Sequence, residues 1–476
     1  SDVYKRQLLY MINRRKFIKS ATTAATAAMF FPGCSSTPKP KKIGANEKIN
    51  VAFVGVGNIG AMARGGMINE NGVALCDVDL TMARQGLKQY PKAKIFQDYR
   101  EMLDKLGKEI DAVCVSTPDH SHFKITLDSM QCGKHVCVQK PLTHNIWQCR
   151  ELERARQYYG VQTQMMNQGH ATEQIRMLKE WYDSGITGDV REVHVMCSGP
   201  KWWDGDPKRT PYFVKPKSMP ITKQPIPSEL NWDLWINQGK FTDYNRIYAP
   251  LSWRGFWDYG TGMLGDWFCH TADAPVWILD LKDPVSVELV DAKCTYDQNV
   301  FIPDASTVKW TFAATDKHPE LVMYWYDGAR EPITRPHDFE KDRPLLKSGM
   351  YMIGDKRTIH TGSRPNFDPR VSNDKFFNEF RKNRPPKTIP RVRKGNLYLE
   401  WCDAIRGDIK ECGSNFKYAS QLTEVALLGA LVQRVGGKIE WDAKNMRAKN
   451  RPELDTLIRE PERKGWESKS FGGLFA

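Results

Sequence analysis

Ile49-Asn50-Val51-Ala52-Phe53-Val54-Gly55-Val56-Gly57-Asn58-Ile59-Gly60 is the stretch that decides the fold. Residues 49–54 form an apolar run suited to a buried strand. A G-x-G-x-x-G turn follows at once, and 61–69 reads as a helix. Strand, glycine turn and helix in that order are the setting in which this pattern holds a dinucleotide. Gly55 permits the tight turn, Gly57 lets a pyrophosphate approach the backbone, and Gly60 lets the helix pack on the strand, with Asn58 and Ile59 completing the loop. The helix N-terminus turns free N–H groups toward the phosphates. A second strand, 73–76, ends at Asp77, 22 residues after Gly55, where an acid meets ribose hydroxyls. A carboxylate there repels a 2′-phosphate, so the expected cofactor is NAD rather than NADP.

Further along, strands and helices keep alternating. Residues 112–116 are a strand running into Ser116-Thr117-Pro118-Asp119-His120-Ser121-His122. Residues 135–138 lead to Gln139-Lys140-Pro141, 145–159 carry a helical apolar stripe, and 161–166 end in Asn167-Gln168-Gly169-His170. The pattern predicts an α/β doubly wound parallel sheet, in which ligands bind beyond the carboxyl ends of the strands. Asp77, Ser116, Thr117, Pro118, His120, Lys140 and His170 all fall there. Three segments follow: 1–48 as an address and tether, 49–171 as the NAD-binding Rossmann domain, and 172–476 as a C-terminal substrate and oligomerisation domain.

Upstream, Met11 is read as the start, and Asn13-Arg14-Arg15-Lys16-Phe17-Ile18-Lys19 precedes an Ala/Thr-rich stretch too short for a permanent membrane helix. This layout is an export signal and resembles the twin-arginine type. Phe31-Pro32-Gly33-Cys34 resembles a lipoprotein cleavage site with Cys34 acylated, although Pro32 stands where a small residue is usual. Residues 35–48, polar and Pro/Lys-rich, read as a flexible tether. The expected location is the periplasm, with lipid anchoring through Cys34.

The formal net charge of +14 suggests nucleic acid only until it is located. Ten basic residues against Asp2 and Glu47 put +8 of it in the first 48 positions. The remaining +6 is spread over more than 400 residues without a basic run, so no nucleic-acid partner is expected. Eleven cysteines contain no C-x-x-C. Those in AVCVS and HVCVQ read as buried thiols, and no metal site is expected.

On GVGNIG (55–60), CDVD (76–79), STPDHSH (116–122), QKP (139–141), GTGMLGDWFCH (260–270) and LTEVALLG (422–429), the chain resembles the Gfo/Idh/MocA family of glucose-fructose oxidoreductase and inositol dehydrogenase, in an exported bacterial subgroup. The resemblance implies a Rossmann domain followed by an α/β domain with a large open, mostly antiparallel sheet through which homo-oligomers form. It also implies a catalytic lysine, here Lys140, and an Asp/His pair, here Asp266 and His270. The family's E-K-P motif reads Gln139-Lys140-Pro141 here, so the lysine loses a possible charge partner.

In a helix, Asp266 and His270 share one face. Oxidising a secondary alcohol needs a base for its proton, with His270 as candidate, and a cation for the developing alkoxide, with Lys140 as candidate or proton relay. Asp266 would orient a hydroxyl or the imidazole. Lys140 is also expected at the cofactor, and His120 at its edge. Gln168, His170, Arg254, Trp257 and Asp258 are candidate sugar contacts, with Trp257-Asp258 favoured. His120, His122 and His170 lack the carboxylate or thiolate partners of a metal site. Residues 208–227 read as a surface loop or subunit arm. The leading reading is an NAD-dependent dehydrogenase of a sugar or glycoside with tightly held NAD. The alternatives are a redox-neutral glycosidase like the family 109 enzymes, which oxidise, eliminate and reduce again on bound NAD, and a non-catalytic cofactor-bearing lipoprotein.

Overall fold

The computed structural model describes residues 39–206, 208, 211–365 and 367–472. The export signal and Cys34 lie outside the described residues. No described helix is long and apolar enough to cross a membrane.

Six strands, β1 (Asn50–Val54), β2 (Asn71–Cys76), β3 (Lys94–Phe96), β4 (Ala112–Val115), β5 (His135–Val138) and β6 (Thr163–Met165), form a parallel sheet in the order β3-β2-β1-β4-β5-β6. The strands are short apolar runs because helices cover both faces. Chain direction across the sheet reverses between β1 and β4, which opens a crevice at their carboxyl ends. There the two strand ends touch: Gly55 has φ +81°, and a Cβ on it would run into the carbonyl oxygen of Ser116. Helix α1 (Gly60–Gly66) starts directly from the turn.

The second sheet has nine strands: β7 (Val190–Met196), β8 (Ser286–Lys293), β9 (Ala305–Phe312), β10 (Leu321–Tyr326), β11 (Gly349–Gly354), β12 (Thr358–Thr361), β13 (Arg370–Val371), β14 (Lys438–Asp442) and β15 (Arg447–Ala448). Their order is β13-β12-β11-β7-β10-β9-β8-β14-β15, antiparallel except for the parallel pair β7–β10. The architecture expected from the sequence is therefore present in both halves.

Two helices from the end of the chain join the halves. Leu397, Tyr398 and Trp401 of α2 (Leu397–Arg406) are buried in one cluster with Val51, Phe53 and Cys114 of the first sheet. Helix α3 (Phe416–Val435) is buried over most of its length between the sheets. Its Phe416 N–H donates to Thr163 Oγ1, and Val425 O accepts from Trp310 Nε1. A boundary at 171/172 thus divides the sequence but not the core, because 397–406 completes the first domain. The tether reading is also corrected for its described part. Ile43 is buried in the same cluster, and Arg406 donates to the carbonyl of Glu47, so this end of the segment packs on the body.

Two glycines of α1 should respond oppositely to alanine. A Cβ at Gly60 would strike the Gly55 carbonyl, whereas one at Gly65 meets nothing within 4 Å. Gly60→Ala should destabilise by about 1–3 kcal/mol. Gly65→Ala should stabilise by about 0.5–1 kcal/mol through lost unfolded-state freedom. Urea unfolding of both variants checks this, and equal effects would contradict the packing described.

Candidate functional site

A cavity of about 490 Å³ lies at the crevice. Gly55, Gly57, Asn58 and Ile59 form its floor, Asp77 and Asp79 one wall, and Ser116, Thr117 and Pro118 the opposite strand end. Gln97, Asp98 and Tyr99 after β3 add to the Asp77 side, and the second half of the chain contributes Tyr244, Arg246, Trp253 and Arg254, with Trp466 from near the C-terminus. A side chain at Gly57 would meet Met82 Sδ at 3.0 Å, so glycine keeps this floor clear without displacing Met82. Bare backbone beside a helix start, acids at the end of β2 and aromatic side chains around the space fit a dinucleotide.

Asp77 does more than was expected of it. Its Oδ2 accepts from the N–H groups of Val56 (2.8 Å) and Gly57 (3.3 Å), and its Oδ1 from Asp79 N (3.1 Å). The carboxylate therefore fixes the glycine loop from the cavity wall. Burial raises its pKa, against those three hydrogen bonds.

Beside the cavity the two halves meet through charge. Lys140, just beyond β5, places Nζ 2.5 Å from Asp266 Oδ1 and 2.8 Å from the Asp266 carbonyl. Both side chains are about nine-tenths buried. The Tyr212 hydroxyl donates to the same Oδ1 at 2.9 Å, and Arg254 Nε stands 3.6 Å from it. Burial alone would raise the Asp266 pKa, but Lys140, Arg254 and the hydrogen bonds outweigh it and hold the group at about 2. Arg254 lines the cavity and reaches Asp266, so it links the two places. Its guanidinium is sandwiched by Tyr212 and Trp253 at 4.0 and 4.2 Å. Thr261 anchors the following turn by donating to Asp119 Oδ2 at 2.7 Å.

The Asp266/His270 segment is not a plain α-helix. Leu264–Phe268 is a π-turn, followed by an α-turn at Cys269–Thr271. Such wide turns cluster at functional sites, and this one presents both carbonyl and carboxylate of Asp266 to Lys140. Asp266 therefore holds Lys140, Tyr212 and Arg254 rather than the imidazole. His270 is buried, and its Nδ1 has no hydrogen-bond partner. Burial first, then Lys140 and Arg364, push its pKa well below 6.5, with Asp266 opposing, so the ring is neutral. The charge partner that Gln139 cannot give Lys140 comes from Asp266, while Gln139 Nε2 contacts Met166 Sδ.

Several expected contacts are elsewhere. His120 is not on the cavity wall. It is a buried clamp whose Nε2 lies 2.8 Å from the Trp235 carbonyl and Nδ1 3.3 Å from that of Tyr259. His170 is buried with Nδ1 2.9 Å from Asp273, whose Oδ1 also accepts from Tyr418. Trp257 is a core residue with its N–H given to Gln298 O. Asp258 faces Lys240 at the surface. Gln168 is half-buried between Asn167 and Gly169. Among the described residues no group of three or more His, Cys, Asp and Glu is placed to hold a metal.

Tyr212, Arg246, Arg364 and Trp466 were missed. Tyr212 lies in the stretch read as a surface arm. The adjacent aromatics Tyr212-Phe213 were the only hint that part of this arm turns inward.

Comparison with known proteins agrees with this geometry. A model of an oxidoreductase family's NAD-binding Rossmann fold matches residues 49–167. Its companion, the C-terminal alpha/beta domain of an oxidoreductase family, matches residues 174–315. A glycosyl hydrolase family 109 protein of Shewanella sp. (strain ANA-3) is 29% identical over 171 residues, 30% of this chain and 37% of the relative. The chain thus matches little more than a third of that relative's length. The fold is similar to the WlbA dehydrogenase of Bordetella pertussis in complex with NADH and UDP-GlcNAcA, with TM-score 0.54 and 17% identity over 83% of this chain and 99% of that one. It is similar as well to a levoglucosan dehydrogenase in complex with NADH, with TM-score 0.52 and 14% identity over 82% and 98%.

Buried neutral histidines make stability depend on acid. Burial lowers His120 to about 3, against its contacts to the Trp235 and Tyr259 carbonyls. Below the unfolded value near 6.5 the unfolded chain takes up a proton that the folded ring refuses. Stability is therefore full above pH 6.5 and falls as the pH drops toward 3, by about 1.4 kcal/mol per pH unit for each such group. Urea midpoints from pH 7.5 to 4.5 should fall, and His120→Gln should make the slope shallower. An unchanged slope in the variant would contradict the neutral clamp.

Proposed function

The chain belongs to the Gfo/Idh/MocA oxidoreductase family, and we propose that it is an NAD-dependent enzyme acting on a ring hydroxyl of a sugar or glycoside. The observation that carries this reading is the buried Lys140–Asp266 pair beside a neutral His270, joined by Arg254 to a cavity floored by the glycine turn. Bound NAD supplies the hydride acceptor. His270 takes the hydroxyl proton, which a neutral ring is free to do. Lys140 steadies the oxygen as negative charge develops. Asp266 fixes the lysine's position, and Tyr212 and Arg254 fix the aspartate.

NAD is proposed over NADP because Asp77, Asp79 and Asp98 line the cavity against two cations, Arg246 and Arg254, of which Arg254 is already engaged by Asp266. Retention of the cofactor is proposed from the walls contributed by Tyr244, Trp253 and Trp466. It also fits export of a folded, loaded protein by the Arg14-Arg15 signal. Self-association through the nine-stranded sheet belongs to the same reading.

A redox-neutral glycosidase is the second reading, favoured by the match to the family 109 protein. In that chemistry oxidation at C3 acidifies the C2–H bond, loss of that proton expels the aglycone from C1, water adds across C1 and C2, and the hydride returns to C3. The same Lys140 and His270 would serve.

Incubating the NAD-loaded protein with a glycoside panel and analysing by mass spectrometry separates the two. Ketosugar without aglycone release supports the dehydrogenase, and free aglycone without net redox supports the glycosidase. His270→Ala should lower turnover by about 10²–10⁴ with the nucleotide still bound. Near-normal turnover in that variant would remove His270 from the chemistry. Protein purified without added NAD, dialysed and then denatured should release near-stoichiometric nucleotide, and an empty protein would overturn retention.

A further inference from the structure

Three cations stand around Asp266 and His270, but the carboxylate serves only two of them. Lys140 and Arg254 share Asp266. Arg364 is the third. Its guanidinium lies 5.4 Å over the Trp267 ring, and that ring meets His270 edge-on at 5.8 Å. The Arg364 Nε is buried without a hydrogen-bond partner, and among the described residues no carboxylate pairs with this arginine. Asp273, three residues beyond His270, gives its Oδ1 to His170 and Tyr418 and leaves its Oδ2 buried without a hydrogen-bond partner, and it forms no ion pair with Arg364. The loop carrying Arg364 follows β12 and packs on the 3-10 turn Gln168–Ala171 that follows β6, where a side chain at Gly169 would meet Pro365 at 2.9 Å.

A half-buried guanidinium with an unused N–H is an anion receptor, since its planar fork matches an oxyanion and its desolvation is otherwise uncompensated. We propose that the sugar taken by this site carries an oxyanion, a carboxylate or a sulfate ester, which Arg364 binds. The inference rests on reading Lys140, Asp266 and His270 as the substrate centre. It explains an otherwise unfavourable feature. Burial first, and then Lys140 and Arg364, hold His270 well below its ordinary range, which leaves it a weak base. An anion on the substrate offsets the two cations and raises basicity only when substrate is bound. A neutral sugar gives no such gain.

Calorimetric titration of the NAD-loaded protein with glucuronate, glucose 6-sulfate and glucose tests the proposal, and the two anions tell carboxylate from sulfate. At least one anion should bind about tenfold or more tightly than glucose. Arg364→Gln should weaken that anion about 10- to 100-fold while moving glucose by less than about threefold. Arg364→Lys, which keeps the charge but not the fork, should retain part of the preference and shows that the variants fold. Equal binding of all three sugars, binding of none, or an anion preference that survives Arg364→Gln would overturn it. Reduction of the bound cofactor is followed in the same samples. Anion binding through Arg364 without reduction would refute the oxidoreductase reading and leave this inference standing. Reduction by glucose that ignores Arg364→Gln would do the reverse.

Discussion

Lys140 and Asp266 come from different halves of the chain and are each about nine-tenths buried, so neither charge is tolerable without the other. The lysine extends from the end of the fifth strand of the parallel sheet. The aspartate sits on a π-turn against the second sheet. Bringing them to 2.5 Å fixes the relation of the two halves, and with it the place of every group that could act on a substrate. Arg254 and Tyr212 add a cation and a hydroxyl to the same carboxylate oxygen, which compensates its desolvation further. His270 is left beside this cluster without an anion of its own, and its burial, reinforced by the cations Lys140 and Arg364, keeps it neutral.

The cofactor cavity depends on the same union. The parallel sheet contributes only its floor and two strand ends. Met82, residues 97–99, Ser121 and Ile125 of the same half add to the walls, and the outer side comes from residues 227–254 and from Trp466. A Rossmann unit alone would leave this crevice open to water. Here helix 397–406 completes the first domain's core, and helix 416–435 lies between the sheets. The two halves therefore share a core, and the site lies at that shared boundary, where a cofactor and a second ligand can be held together.

What was legible in the sequence follows from what is local. Residues 49–60 carry strand, turn and helix in one unbroken run, and Asp77 lies a fixed distance beyond, so the fold and the cofactor cavity could be read directly. Lys140, Asp266 and His270 came from the family resemblance, because an Asp-x-x-x-His spacing by itself does not say what packs against it. The π-turn that redirects Asp266 toward Lys140 leaves no periodic trace. His120 and Trp257 were expected at ligands but serve packing. Histidines and tryptophans look alike in sequence whether their polar atoms meet a substrate or a backbone carbonyl, and here they meet carbonyls. Tyr212 and Arg364 were missed for the converse reason. Each sits in an irregular stretch whose course is set by distant contacts, over Arg254 for one and over Trp267 for the other. The described end of the tether was misread because its polar composition hides one anchoring residue, Ile43.

The interdependence of Lys140 and Asp266 can be measured without knowing the substrate, by a double-mutant cycle of Lys140→Met and Asp266→Asn in urea unfolding at neutral pH. Each single change strands a buried polar or charged partner and should destabilise by about 3–5 kcal/mol. The double variant should lose much less than the two together, with a coupling of about 2 kcal/mol or more. Additive losses would mean that the two residues do not hold the halves together, and would contradict the placement of the site at their meeting point.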